Sequence, residues 1–179
     1  MSKFSELFES DMHRYGGSMR FFDWRKRYHY YFRKVTTCKN RLLNFYYRFM
    51  YRRICDKHGI EIPRSTIIGG GLYIGHPYNI TINASVVIGK NVNIHKGVTI
   101  GQENRGKREG VPSIGNYVWI GINSTIVGRI SIGDDVLIAP NSYVNKDVPP
   151  HSIVIGNPWT IIHSERATKD YINNCISIE

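Results

Sequence analysis

His76 lies in a short segment, Gly75-His76-Pro77-Tyr78-Asn79, that interrupts an otherwise regular six-residue repeat. A second interruption, Gln102-Glu103-Asn104-Arg105-Gly106-Lys107-Arg108-Glu109-Gly110-Val111, is polar and charged. Histidine titrates close to neutral pH, so the chemistry open to such a residue is proton transfer. A lone histidine is most often a satisfied polar side chain. One carried in a bulge on a regular scaffold, beside a long loop, stands where sites are commonly built. His95, in Asn93-Ile94-His95-Lys96-Gly97, lies near it in the repeat and is expected to be a coil-surface residue.

The scaffold is legible in the repeat. An aliphatic residue recurs at Ile62, Ile68, Ile74, then Ile82, Ile88, Ile94, Ile100, then Ile114, Ile120, Ile126, Ile132, Ile138 and Val144. Glycine follows it at Gly69, Gly75, Gly89, Gly101, Gly115, Gly121 and Gly133, and a small or branched residue comes four places after it. A period of six is neither the helical 3.6 nor the strand alternation of two. It marks a hexapeptide-repeat parallel β-helix. Three hexads close one triangular coil, and stacked coils pair their strands at roughly 4.8 Å. Residues 60–156 make about five coils, with the aliphatic ladder inside. The glycine is expected to relieve crowding at the corner, where a positive φ costs it little. Hexads set the spacing at six; it becomes eight between Ile74 and Ile82 and fourteen between Ile100 and Ile114, so both interrupting segments must leave the prism wall.

Charge divides the chain. Residues 1–58 hold fourteen Lys and Arg against five Asp and Glu, which is +9 of the whole chain's +10, and 15 of its 22 aromatic residues. The expected organisation is a basic aromatic α-helical head at 1–58, a β-helix domain at 59–158 and a C-terminal tail at 159–179. Helices are expected over residues 3–14, about 21–34 and 39–58, the last stopped by Gly59. The aromatics of the head could cap the open end of the prism and pack between subunits. Its basic groups, Arg25-Lys26-Arg27, Arg33-Lys34 and Arg52-Arg53, could instead meet phosphates or an anionic membrane. Nucleic acid is not expected as a partner, because no nucleic-acid-binding module is present. Cys38, Cys55 and Cys175 are scattered, without metal-ligand or disulfide spacing, which suits a reducing compartment and no metal. No apolar run reaches 18 residues and no signal-peptide pattern opens the chain, so a cytoplasmic protein is expected, at most peripheral to the inner face of the membrane.

Three stretches carry a family resemblance: "GIEIPRSTIIGGGLYIGH" at 59–76, "INASVVIGKNVNIHKGVTIG" at 82–101 and "VPPHSIVIGNP" at 148–158. Over roughly residues 45–160 the chain resembles the serine acetyltransferase branch of the hexapeptide-repeat acyltransferases, whose fold is a left-handed parallel β-helix. "SDMHRYGG" at 10–17 looks like the serine-acetyltransferase-like proteins of capsule and exopolysaccharide synthesis, the colanic acid acetyltransferases among them. The resemblance implies that His76 is the general base and that Glu61, fifteen residues earlier, orients it where the serine enzymes carry Asp. It implies acetyl-coenzyme A as co-substrate, bound between the prisms of a homotrimer. Gly101 and Gln102 would lie at the developing oxyanion, the pantetheine arm would run past Gly121, Ile122, Ala139 and Pro140, and the phosphates would lie near Lys146.

Two departures bear on the acceptor. The serine enzymes place an Asp directly before the base and an Arg-His pair near the end of the loop, to hold the amino acid's two charges. This chain has Gly75 and Gly110-Val111 there. Unpaired buried charges are costly, so the amino acid would be poorly held. The expected acceptor is therefore a hydroxyl of a sugar in a surface polysaccharide or its lipid-linked precursor. Serine O-acetylation is the alternative, and a non-enzymatic scaffold would need neither the histidine bulge nor the carboxylate.

Overall fold

The computed structural model describes residues 2–17, 19–20 and 22–177. Phe21, at the start of the expected second helix, and Ile178 and Glu179, at the end of the expected tail, lie outside them. The helices are α1 (Lys3–His13), α2 (Trp24–Thr37) and α3 (Arg41–His58). Each starts at a side-chain cap: Ser2, Asp23 and Asn40 accept from the first-turn N–H groups. Gly59, at φ +63°, ends α3 in the left-handed conformation that glycine adopts without penalty.

The β-helix has three parallel faces. Face A stacks β1 (Ile60–Glu61), β4 (Ile80–Ile82), β7 (Thr99–Gly101), β10 (Thr125–Val127) and β13 (Tyr143–Val144). Face B stacks β2 (Ile67–Ile68), β5 (Val87–Ile88), β8 (Ser113–Ile114) and β11 (Ser131–Ile132). Face C stacks β3 (Tyr73–Gly75), β6 (Asn93–His95), β9 (Val118–Ile120), β12 (Val136–Ile138) and β14 (Ser152–Gly156). The five-coil parallel β-helix is the fold the repeat implied; its left hand was implied by the family resemblance, and the helical head by the pattern of residues 1–58. The first residues of the tail form β15 (Trp159–His163), which pairs antiparallel with β14 and ends the sheet.

All thirteen aliphatic ladder positions are buried, none more than 7% exposed. Burying one such side chain is worth about 1.5–3 kcal/mol, so the stacked ladder is the main driving force of the solenoid. The glycines that follow it require a correction. None of the seven has a positive φ. Six of them are glycines because the coils touch: a Cβ on Gly89 would lie 2.5 Å from the Gly115 carbonyl oxygen, and one on Gly121 would lie 2.6 Å from the Pro140 nitrogen, whereas Gly101 has nothing nearer than Val127 Cγ1 at 3.5 Å. The left-handed corners fall elsewhere, four of them on asparagine: Asn79, Asn91, Asn123 and Asn141 have φ of +54° to +60°. Asparagine tolerates that region better than other residues with a Cβ.

Head and solenoid share one hydrophobic core, in which Tyr28, Phe32 and Tyr51 join the isoleucine ladder. A buried polar clamp fixes the junction. Asp11 accepts from Arg33 Nε and Nη2, both at 2.8 Å, from the Leu72 backbone N–H at 2.9 Å, and lies 3.1 Å from His29 Nδ1. Arg33 also donates to the carbonyls of Ile68 and Gly69. Arg33 is 2% exposed, so it is not one of the surface cations expected of the head. The "SDMHRYGG" segment thus docks the head: Ser10 Oγ accepts from Gly71 N–H, Arg14 donates to the Gly71 carbonyl, and Tyr15 Oη accepts from Ile74 N–H. Other aromatics of the head do not cap the prism, because Phe45 and Phe49 of α3 are exposed, as is Leu42 beside them. Among the described residues, no helix is long and apolar enough to cross a membrane.

Candidate functional site

His76 follows β3 directly, at the corner between faces C and A, and its side chain is exposed. Its φ of +50° is uncommon for a residue with a Cβ, and such conformations persist where the surroundings impose them. Here the surroundings do so. Gly75 ends the pairing with His95, the Tyr78 N–H donates to the His76 carbonyl at 2.8 Å, and the Asn79 N–H donates to the His58 carbonyl at 3.1 Å. The end of α3 therefore holds the far side of the bulge. Trp24 stacks on the His58 ring at 3.6 Å, and the Tyr78 ring meets His58 edge-on at 5.1 Å.

The strand order separates the expected site residues into two groups. His76, Gly121, Ile122, Ala139 and Pro140 all follow strands of face C, so they stack along one edge of the prism. Gly121 lies directly against Ala139 and Pro140, with no room for a Cβ between them. Gly101 ends β7 of face A, and Gln102 and Lys146 follow strands of that face, so the three lie on the next edge, where the 102–112 loop also departs. Within one chain, face A stands between the two groups. Glu61 is exposed on β1 of face A, beside a cavity of about 460 Å³ walled by Phe45, Arg48, Phe49 and Arg52 of α3. Among the described residues, no hydrogen bond or ion pair joins Glu61 to His76.

The loop forms a small hairpin closed by reciprocal backbone bonds between Glu103 and Gly110, 3.0 Å each. Arg129 N–H donates to the Arg108 carbonyl at 2.8 Å and ties the arm to the next coil. Gly110 has φ +131°, which only glycine adopts readily, so the hairpin shape itself accounts for glycine there. Val111 packs against the core. Neither residue offers a charge.

A polar and aromatic cup beside His76 was missed in the sequence. It is a cavity of about 360 Å³ lined by Arg14, Tyr15, Tyr73, Asn93, His95, Trp119, Tyr171, Asn173 and Asn174. Tyr73, Asn93, His95 and Trp119 project outward from β3, β6 and β9, and alternation along those three strands was a signal that could have found them. The His95 ring occupies the space a side chain at 75 would need: a Cβ there would lie 2.5 Å from His95 Cδ2 and 2.7 Å from Nε2. His95 Nδ1 lies 2.9 Å from the Ile120 carbonyl, which can only accept, so Nδ1 carries the proton and Nε2 is left as an acceptor. Burial lowers the His95 pKa; the Ile120 bond opposes this and His76 adds to it. The ring is neutral at physiological pH. Among the described residues, no group of His, Cys, Asp and Glu could hold a metal ion.

Comparison with known proteins points one way. Residues 112–146 match the family described as bacterial transferase hexapeptide (six repeats). The chain is 40% identical over 110 residues to serine acetyltransferase 2 of Arabidopsis thaliana, covering 62% of this chain and 34% of that one. It is 37% identical over 108 residues to the serine acetyltransferase of Helicobacter pylori (strain ATCC 700392 / 26695), covering 60% and 63%. The chain therefore spans from about a third to just under two thirds of the length of these relatives. The crystal structure of a Neisseria gonorrhoeae serine acetyltransferase in complex with serine superposes with a TM-score of 0.69 at 25% identity, over 89% of this chain and 69% of that one.

Proposed function

We propose that this hexapeptide-repeat β-helix protein transfers an acetyl group from acetyl-coenzyme A to a hydroxyl group, with His76 as general base. The observation that carries the proposal is the placement of His76. It is held in a left-handed bulge at the head of the edge formed by Gly121, Ile122, Ala139 and Pro140. His76 takes the proton as the acceptor oxygen attacks the thioester carbonyl. The C–S bond then breaks, and the imidazolium returns the proton to the leaving thiolate. Both substrates are bound together and no covalent enzyme intermediate forms. Glu61 is the carboxylate proposed to orient His76; no hydrogen bond joins them among the described residues, and apo geometry alone does not rule the pair out.

Serine is the acceptor that the comparisons favour, ahead of the sugar expected from the sequence, since the relatives are named serine acetyltransferases. A sugar hydroxyl remains as a second reading on one observation. The slot before the base is filled by the neutral His95 ring, and the loop end offers glycine and valine, so no charged side chain at these positions balances an ammonium or a carboxylate. Thiol release from acetyl-coenzyme A decides between them. Saturable turnover of L-serine with KM below about 1 mM, the upper end of the usual enzyme range, assigns serine. Turnover confined to saccharides assigns the sugar. Release with neither sinks acetyl transfer.

The assembly proposed is a homotrimer. It would bring the edge bearing Gly101, Gln102 and Lys146 of one chain towards the His76 edge of another, so that the co-substrate lies in the groove between two prisms. Ile67 and Val87, adjacent on the outside of face B, are 64% and 46% exposed, an apolar patch that an isolated prism leaves wet. Light scattering should give about three times the 20.7 kDa chain mass, or a multiple of that. A monodisperse, active monomer would overturn the shared groove.

A further inference from the structure

We infer that the cup between β3, β6, β9 and the folded-back tail is a subsite for the pyranose ring of a saccharide. The inference rests on the acetyl-transfer proposal and takes the second of its two acceptors. Five rings line the wall in sequence: Tyr15 to Tyr73 at 4.6 Å, Tyr73 to His95 at 6.4 Å, His95 to Trp119 at 4.6 Å, and Trp119 to Tyr171 at 5.1 Å. They come from the head, three successive coils and the tail. Packing of the hydrophobic core does not require them, because Tyr73, His95 and Trp119 lie on the outer side of face C, opposite the isoleucine ladder.

The cup is also preorganised. Arg14 bridges head, solenoid and tail, donating to the Gly71 carbonyl at 2.9 Å, Asn93 Oδ1 at 2.7 Å and the Asn173 carbonyl at 2.9 Å. Asn93 Nδ2 donates to the Tyr171 carbonyl at 3.2 Å, which fixes the tail over the opening. A rigid wall of aromatic faces matches the C–H face of a sugar ring, and a few fixed polar atoms can orient its hydroxyls. The volume of about 360 Å³ falls at the lower end of small-ligand sites. His95 Nε2, unprotonated and directed at Gly75, is placed to accept from a ring hydroxyl. Gly75 and His95 thus form one device: only with glycine at 75 can the imidazole stand there, one residue from the base. A ring seated on Trp119 would extend from the cup towards His76.

The probes are the methyl glycosides of glucose, galactose, N-acetylglucosamine and glucuronic acid, followed by saturation-transfer difference NMR on the full chain without acetyl-coenzyme A. At least one should bind saturably. Trp119→Ala should weaken that binding about 10–100-fold, the usual effect of truncating an aromatic anchor, and Trp119→Phe should recover most of it. Tyr171→Ala, in the tail, gives an independent check. In turnover the same variants should raise acceptor KM and leave acetyl-coenzyme A KM unchanged. Failure of all four glycosides to bind, or binding that ignores both Trp119→Ala and Tyr171→Ala in folded protein, overturns the subsite. Binding of acetyl-coenzyme A by the wild type is scored separately. Its presence with no glycoside bound leaves the transferase proposal intact and removes only this subsite. Its absence with a glycoside bound in the cup does the reverse.

Discussion

His76→Ala is expected to lower kcat by about 10²–10⁴-fold, the usual worth of a positioned general base, with acetyl-coenzyme A affinity nearly unchanged. The side chain is exposed and makes no structural hydrogen bond among those described, so the variant should fold and assemble as the wild type does. The φ of +50° does not depend on the imidazole, since the bulge is held by backbone bonds to Tyr78 and Asn79. Glu61→Gln should cost less, because it removes an orienting charge and not the base. Turnover near the wild-type rate in His76→Ala would move the role to His95. Its Nε2 is also a free acceptor, and its lowered pKa keeps it unprotonated.

The hexad register was legible because buried aliphatic side chains are a direct demand of the stacked coil, and each of the thirteen predicted positions meets it. The role of the glycines was misassigned for a reason sequence cannot supply. Crowding against the next coil depends on the distance between coils, while a positive φ is a local property, and Gly89 and Gly121 answer to the first alone. The asparagines at the left-handed corners were in plain view. Asn123 and Asn141 are one coil apart, eighteen residues.

Of the site, the histidine bulge and the emergent loop could be read from broken spacing. The aromatic cup could not be assembled from spacing alone. Trp119 and His95 follow the outward alternation of their strands, but Tyr171 reaches them only because the tail runs back along face C, and no periodicity announces that path. Arg33 was misplaced by composition. A charge in an aromatic, basic segment reads as surface, whereas its partner Asp11 lies 22 residues earlier on another helix.

That partnership carries the largest expected effect on stability. Asp11→Ala should cost about 3–5 kcal/mol in the docking of the head, the usual consequence of removing one member of a buried ion pair. The loss would come mainly from Arg33, which is 2% exposed and would keep its bonds to the carbonyls of Ile68 and Gly69 without any balancing charge. Leu72 N–H would lose its acceptor as well. Urea unfolding followed by near-UV circular dichroism, to which the head's aromatics contribute most, should show the transition at lower urea than in the wild type. A shift below about 1 kcal/mol, the median worth of an exposed pair, would mean that the clamp is not closed in solution. Acid provides a second measure. Burial alone would raise the Asp11 pKa, but Arg33 and the bonds from His29 and Arg33 prevail and hold it below the usual carboxylate range. A carboxylate depressed in the folded state stabilises above its unfolded pKa, and that contribution is lost as pH falls through the folded value. Wild-type docking should therefore weaken below about pH 4, the ordinary pKa of aspartate. Asp11→Asn should start from lower stability at neutral pH and lose less of it on the way down. Equal acid sensitivity in the two proteins would place the titrating group elsewhere.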